Sequence, residues 1–180
     1  MTAPGKGFFK SRALDSLEDC LRAFASEERL DKHDAFFCAK CAAHGSATKT
    51  MRVHRFPRCL ALHIKRFKAH PSAPTTKLTD AVSFPLTDLS LSHIASDACV
   101  TPEHLLRYDL YAVSNHTGSL SSGHYTAACK LQTADGQAWF RFDDAAVSRI
   151  SPKSIPAQDV YMLFYVQRAE LELAPTSVFV

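Results

Sequence analysis

The second half of the chain carries a repeated strand pattern that constrains the fold more than any other feature. From Tyr108 onward, short runs of apolar and β-branched residues are separated by turn residues. Such runs predict β-strands, and their close spacing along the chain predicts antiparallel neighbours. The last run is nearly all apolar and predicts a central strand buried on both faces. The predicted strands span 108–114, 124–131, 138–143 and 159–167.

The first half of the chain predicts a short helix followed by exposed and half-buried strands. Ser16 and Asp19 have the spacing of a capping box, and apolar residues follow at helical spacing. These signals predict an amphipathic helix over about 16–26 that packs against the core. A basic, exposed strand is predicted over 48–56, and an alternating, half-buried strand over 60–67.

The middle of the chain gives the weakest pattern. Residues 69–76 have the composition of a loop, and residues 82–86 predict a short strand. Residues 88–106 have no clear period and are expected to form a surface excursion. The expected fold class is therefore α+β, mainly antiparallel β, with a short N-terminal helix.

Composition excludes several classes of protein. The chain has 180 residues, of which 46% are hydrophobic and 22% charged, so it can build a core. A net charge of +3 argues against nucleic acid as a partner, and no apolar run is long enough to span a membrane. Six cysteines without an apolar signal-peptide core predict a reducing, intracellular setting, cytoplasmic or nuclear.

A histidine and an acid pair stand at corresponding ends of two adjacent predicted strands. His124 opens one strand, Asp143 and Asp144 close the next, and the turn between them is expected at 133–137. A hairpin of this kind places His124 and Asp143 side by side at one end of the sheet. A base held by a carboxylate is the arrangement that activates a thiol or a hydroxyl nucleophile.

Each of these residues also has a structural interpretation. A histidine in a Gly-Ser segment is more often exposed or structural than catalytic, and an acid pair often marks a turn. Gly123, before the histidine, removes a side chain that would block the approach of a substrate backbone. Asp144 is expected to bind a water or to act as a reserve orienting acid.

Two cysteines have the spacing of half a tetrahedral zinc site. Cys38 and Cys41 form a single CxxC motif, which by itself is a weak signal for zinc. His44 is a candidate for a third ligand and Cys59 a distant candidate for a fourth. The alternative is two unligated thiols in a turn.

Together, these motifs resemble the ubiquitin-specific protease family of cysteine deubiquitinases. The resemblance covers residues 15–167 and several motifs in family order. The motifs lie at 16–21, 38–41, 55–67, 108–113, 115–118, 123–127, 139–144 and 157–165.

The resemblance implies roles for individual residues. His124 matches the catalytic base, Asp143 the acid that orients it, and Asp144 the adjacent assisting residue. His116, Gly123 and Tyr125 match the segment that closes over the C-terminal tail of ubiquitin.

The resemblance also implies a division into subdomains. Residues 30–56 match part of the fingers, where Cys38 and Cys41 would be half of a zinc site completed by ligands outside this chain. The rest of 15–167 matches the palm, 1–14 is expected to be a flexible N-terminus, and 168–180 a tail.

The chain departs from the family pattern in two respects. The box that carries the nucleophilic cysteine and the second CxxC of the zinc site are both missing, so the thumb is expected to be absent. The expected function is that of a deubiquitinase chain, with ubiquitin and ubiquitinated proteins as partners, inactive by itself because it lacks the nucleophile. The alternative is a non-catalytic fragment that binds ubiquitin as a scaffold.

Overall fold

The computed structural model describes residues 15–31, 34–70 and 73–168. The segment 1–14 and the tail after 168, for which a flexible terminus and a C-terminal extension are predicted, lie outside the described residues. Within these residues there is one α-helix, α1 (Leu17–Phe24), and thirteen strands. The strands are β1 (Glu27–Leu30), β2 (Phe36–Cys38), β3 (Ala43–Gly45), β4 (Ala47–Thr50), β5 (Cys59–His63), β6 (Phe67–His70), β7 (Ala73–Lys77), β8 (Leu89–Ser90), β9 (Arg107–Gly118), β10 (Gly123–Thr133), β11 (Gly136–Asp143), β12 (Ala146–Ile150) and β13 (Val160–Gln167).

The main body is a seven-stranded antiparallel sheet in the order β12-β11-β10-β9-β13-β5, with β8 paired to the start of β9. Strands β9 to β12 follow one another as a meander, and β13 returns on the other side of β9. The expected fold class, mainly antiparallel β with few helices, is confirmed. The four strands predicted after Tyr108 are present, and the structure adds β12, which the sequence pattern did not reveal.

The helix begins where the capping signal predicted. The side chain of Ser16 accepts a hydrogen bond from the backbone amide of Asp19 at 3.1 Å. The helix buries Leu17 and Leu21 against the sheet, whereas Phe24, in its last turn, is about half exposed. The helix is therefore two residues shorter at its C-terminal end than predicted, and only part of its apolar pattern faces the core.

Two small hairpins form in the region for which fingers were predicted. Strand β1 pairs with β4, and β2 pairs with β3, each as a separate two-stranded sheet. Neither pair buries a large apolar face, because most of their residues are exposed. The strand predicted over 48–56 is shorter than expected, since regular pairing ends at Thr50.

Three expectations for the chain from β5 to β8 are wrong. The strand predicted over 60–67 ends at His63, and the predicted loop at 69–76 is instead part of the β6–β7 hairpin. Residues 82–86 do not form a strand, although Ser83 makes a single parallel bridge to Ser16. Proline and small polar residues favour loops, but here the local pairing of β6 with β7 overrides composition.

The segment 88–106 was expected on the surface, and this expectation is also wrong. Leu89 and Leu91 are fully buried, and Ile94 and Leu106 nearly so, within one core shared with the sheet and with α1. The segment contains two 3₁₀ helices, Ser92–Ile94 and Glu103–Leu105, with no regular period. Because its apolar residues follow neither a helical nor a strand period, their burial was not visible in the sequence.

A buried arginine joins three segments at one end of the sheet. Arg66 is 2% exposed, and its guanidinium donates to the carbonyl oxygens of Asp80 at 2.5 Å, Ala157 at 2.9 Å and Val160 at 2.9 Å. Burial lowers the pKa of Arg66 from its ordinary value. Carbonyl oxygens take up the donors of the buried cation, which makes its burial tolerable.

None of the helices in the described part of the chain is long and apolar enough to cross a membrane.

Candidate active site

The hairpin of β10 and β11 brings the predicted histidine and acid together. Thr133 pairs with Gly136, so the turn is two residues long, close to the position predicted. The register pairs Ala127 with Phe142, and one further step places Thr126 level with Asp143. His124 is two residues from Thr126 and lies on the same face, as a diagonal neighbour of Asp143.

A short hydrogen bond joins the two side chains. Nε2 of His124 lies 2.6 Å from Oδ1 of Asp143. Because an ionised carboxylate can only accept, the imidazole donates its Nε2–H. The neutral ring therefore presents the lone pair of Nδ1, which is the atom that can accept a proton from a nucleophile. The two side chains are 48% and 36% exposed, so the pair is open to solvent.

The pair alters the protonation of both partners. The hydrogen bond to Asp143 raises the pKa of His124, and the charges of Asp144 and Asp143 act in the same direction. The hydrogen bond from His124 lowers the pKa of Asp143, as does the nearby charge of Arg141. The pair thus favours the ionised carboxylate and the protonated imidazole.

Asp144 stands next to the pair in an unusual backbone conformation. Its φ is +49°, in the left-handed region that non-glycine residues rarely adopt. One donor atom from each of His124, Asp143 and Asp144 lies within 4.8 Å of the others. This spacing could hold a metal ion, and it also suits a base with two carboxylates beside it.

His116 is buried on β9, opposite Tyr125 of β10. Its side chain is 5% exposed, and within the described residues its Nδ1 is buried without a hydrogen-bond partner. Burial and the charge of Lys77 lower the pKa of His116, which favours the neutral ring. Nζ of Lys77 donates to the carbonyl oxygen of His116 at 2.5 Å, which ties β7 to β9 at this point.

Gly123 makes room for the ring of His116. A Cβ at position 123 would collide with Nε2 of His116 and would lie 2.6 Å from the carbonyl oxygen of Thr117. Gly123 pairs with Gly118, which has a φ of +101°, and together they close the loop between β9 and β10. The structure therefore assigns Gly123 a packing role beside the expected role of admitting a substrate backbone.

An aromatic cluster surrounds His116. The ring centroid of Tyr125 lies 4.7 Å from that of His116 and 5.9 Å from that of Tyr161. Tyr161 also contacts the rings of His63 and Phe67. Tyr125 is 54% exposed and follows His124 directly on β10. Sequence reasoning missed Tyr161, because it stands in an apolar strand that offers no signal beyond core packing.

The cysteines of the main sheet lie away from His124. Cys129 is five residues further along β10, about 16 Å for an extended strand. Cys59 is on β5, which is separated from β10 by β9 and β13. Burial raises the pKa of Cys129 and also that of Cys20, so neither thiol is activated.

The CxxC motif forms the turn of the β2–β3 hairpin. Backbone amides of Cys41 and Lys40, together with the thiol of Cys41, lower the pKa of Cys38. Amide donors directed at a sulfur favour the thiolate, which is the form that binds zinc. His44 does not join this turn: its Nδ1 lies 3.1 Å from the carbonyl oxygen of Ala35, and its ring contacts Phe37.

Cys59, the other predicted ligand, lies in the main sheet. Within the described residues, the group of three potential metal donors is at His124 and not at the cysteines.

Removing the carboxylate of Asp143 is expected to return the pKa of His124 toward its ordinary value. In Asp143→Ala, the pKa of His124 should fall toward about 6.5, because the hydrogen bond and the negative charge that raise it are lost. An NMR titration of the ring resonances measures this pKa. Asp135→Ala, in the turn of the same hairpin, is the matched control and should leave it unchanged. An equal pKa in Asp143→Ala and in the unsubstituted chain would contradict the role of Asp143.

The packing of Gly123 can be tested with a second glycine as control. Gly123→Ala should lower the free energy of unfolding by about 1–3 kcal/mol, because the added methyl meets His116 and the backbone. Gly45→Ala adds a methyl with nothing within 4 Å and should change stability by less than about 0.5 kcal/mol. Urea unfolding measures both, and equal effects would show that the space at position 123 is not limiting.

Comparison with known proteins identifies the family of this chain. Residues 14–165 match the family model described as ubiquitin carboxyl-terminal hydrolase. Ubiquitin carboxyl-terminal hydrolase 2 of Gallus gallus is 41% identical over 150 residues, which are 83% of this chain and 40% of the relative. Ubiquitin carboxyl-terminal hydrolase 21 of Homo sapiens is 40% identical over 162 residues, 90% of this chain and 27% of the relative.

Solved structures resemble the fold as well. The SAGA Ubp8/Sgf11/Sus1/Sgf73 DUB module bound to ubiquitin aldehyde matches with a TM-score of 0.70 and 32% identity, over 86% of this chain and 34% of that chain. The yeast SAGA DUB module with an Sgf73 mutant matches with a TM-score of 0.71 and 32% identity, over 86% and 33%.

The chain spans less than half the length of these relatives. It belongs to the ubiquitin carboxyl-terminal hydrolase family and corresponds to part of the catalytic domain of a ubiquitin-specific protease.

Proposed function

We propose that this chain carries the base and the orienting acid of a cysteine-type deubiquitinase. The observation that supports this most is the 2.6 Å hydrogen bond between Nε2 of His124 and Oδ1 of Asp143, which leaves the lone pair of Nδ1 as the acceptor of the ring. The substrate class is ubiquitin joined through its C-terminus to a lysine of another protein. In this proposal Asp144 assists through its charge.

The chemistry divides into two steps. First, Nδ1 of His124 takes the proton of a cysteine thiol, and the thiolate attacks the carbonyl carbon of the C-terminal glycine of ubiquitin. The C–N bond breaks as the imidazolium returns its proton to the leaving lysine amine, and a thioester remains. In the second step, water attacks the thioester, His124 accepts its proton, and ubiquitin leaves with a free carboxylate as the thiol re-forms.

The nucleophile in this proposal is not one of the cysteines described above. Cys129 and Cys59 are remote from His124, and burial raises the pKa of Cys20 and Cys129. In this proposal, the nucleophile belongs to a segment outside the sequence described here. This chain by itself is therefore expected to be inactive toward ubiquitin conjugates.

The proposed ubiquitin-binding surface has two parts. Tyr125, with His116 behind it and Gly123 beside it, would border the channel for the C-terminal tail of ubiquitin. The exposed rings of Phe36 and Phe37 on the β2–β3 hairpin would contact the globular body, as part of the fingers. The sheet from β5 to β13 would be the palm, and the thumb is absent from this chain.

A structural zinc ion is proposed at the tip of the fingers. Cys38 and Cys41 would supply two thiolate ligands, for which the amides of Lys40 and Cys41 already favour the charged sulfur of Cys38. Ligands from outside this chain would complete the tetrahedron. When bound, the ion would join the turn of the β2–β3 hairpin to the segment that supplies the other ligands.

A non-catalytic role in ubiquitin binding is the second candidate. The exposed phenylalanines of the β2–β3 hairpin favour it, because such a surface can bind a partner without any nucleophile.

Labelling with an active-site probe separates the two roles. Ubiquitin with a thiol-reactive C-terminal group should form no adduct with this chain alone, because no thiol lies beside His124. Adding the missing thumb segment as a second polypeptide should restore an adduct that is lost in His124→Ala, whereas binding alone would give no adduct under either condition. A single adduct without the added segment, abolished by replacing one of the six cysteines, would overturn the proposal.

Metal binding at the fingers is tested by cobalt substitution. Co²⁺ bound by thiolates gives a charge-transfer absorption, and a titration followed by this absorption measures the apparent affinity for the metal. The affinity should fall at least about tenfold in Cys38→Ser or Cys41→Ser, since each substitution removes one of two ligands. Cys59→Ser, an exposed thiol in the main sheet, is the control and should have no effect. Equal affinity in all variants would refute a half-site at the hairpin.

A further inference from the structure

A second cation contacts the carboxylate of the pair. Arg141 stands on β11 two residues before Asp143, so both side chains lie on the same face of the strand. Its Nη2 lies 2.8 Å from Oδ2 of Asp143, while Oδ1 lies 2.6 Å from Nε2 of His124. We propose that Arg141 is a positioning residue of this site, which holds Oδ2 of Asp143 so that Oδ1 stays on the imidazole of His124. The inference rests on the proposed function.

The carboxylate needs a second contact because the site is open. The side chain of Asp143 is 36% exposed, at the last residue of β11. The terminal torsion of an aspartate is broad, so a carboxylate held at one oxygen can turn toward water. A hydrogen bond from the guanidinium to the second oxygen restricts this rotation. Because both partners are ionised, such a hydrogen bond is stronger than one between neutral groups.

Arg141 also balances the charge around the base. The charged groups that face His124 among the described residues are Asp143, Asp144 and Arg141. The two acids favour the protonated imidazole, and the arginine opposes it. A base must be neutral to accept the thiol proton, so one cation beside two acids keeps a larger fraction of His124 in the working form near neutral pH.

An ordinary surface ion pair would show the same distance between Arg141 and Asp143, but its removal would have a different effect on His124. Arg141 is 51% exposed, and an exposed pair contributes little to stability. Arg141→Leu should therefore leave the urea midpoint nearly unchanged. If Arg141 holds Asp143 in place, Arg141→Leu should instead change the hydrogen bond between His124 and Asp143. The loss of a surface ion pair without a positioning role would leave that hydrogen bond unchanged.

The tautomer of His124 is the direct readout. Above its pKa, the neutral ring should be mainly the Nε2–H form, because Asp143 accepts that proton, and ¹⁵N chemical shifts of the ring measure the ratio of the two forms. In Arg141→Leu this ratio should fall about fivefold, the order of one net hydrogen bond. Arg141→Lys keeps a cationic donor and should restore most of it.

The pKa of His124 is the second readout. Arg141→Gln keeps a donor for Oδ2 but removes the charge, so the pKa of His124 should rise above that of the unsubstituted chain. The control is Arg149→Gln, on β12. Its position is exposed and on the opposite face from Arg141, because Ser148 is the residue that pairs with Arg141.

Each outcome decides the inference. A tautomer ratio unchanged in Arg141→Leu, or a pKa that shifts equally in Arg141→Gln and Arg149→Gln, would overturn it. Neither readout needs a nucleophile or ubiquitin, so a failure of probe labelling refutes the proposed chemistry without affecting the role of Arg141. Conversely, successful labelling with an unchanged tautomer would refute the inference alone.

Discussion

The arrangement of the site depends on the buried guanidinium of Arg66, to which no carboxylate is bonded among the described residues. Removing a guanidinium from water costs several kcal/mol unless its donors are taken up, and the backbone carbonyls of two segments, at Asp80 and at Ala157 to Val160, do this for Arg66. The second of these segments leads into β13, where the carbonyl oxygen of Asp159 accepts the amide of His116 at 2.8 Å. The buried cation thereby holds together segments that adjoin His116 at this end of the sheet.

The site itself combines rigid support with an open face. His116 fills the space that Gly123 leaves, and the β10–β11 register sets Asp143 diagonally from His124. On the outer side, the same histidine is nearly half exposed. An imidazole that is held by a carboxylate and open to solvent can be approached by a group from another segment.

The separate hairpins have a different physical character from the sheet. The sheet buries a continuous core, which includes Leu89, Leu110 and Leu163, whereas the β1–β4 and β2–β3 hairpins bury almost none. Two-stranded hairpins are marginal in water unless something else holds them. A metal at Cys38 and Cys41 and contact with further chain would both meet that need.

The sequence by itself determined the antiparallel strands after Tyr108, the start of the helix at Ser16, and the pairing of His124 with Asp143, because each depends on a local period or a short turn. Tertiary structure alone decided the burial of the irregular segment 88–106 and the contact of His116 with Gly123. These depend on which distant segments meet. A residue such as Arg66 gives no local sign that carbonyls up to 94 residues away will accept its donors, since carbonyl groups are common to every residue and only the fold selects among them.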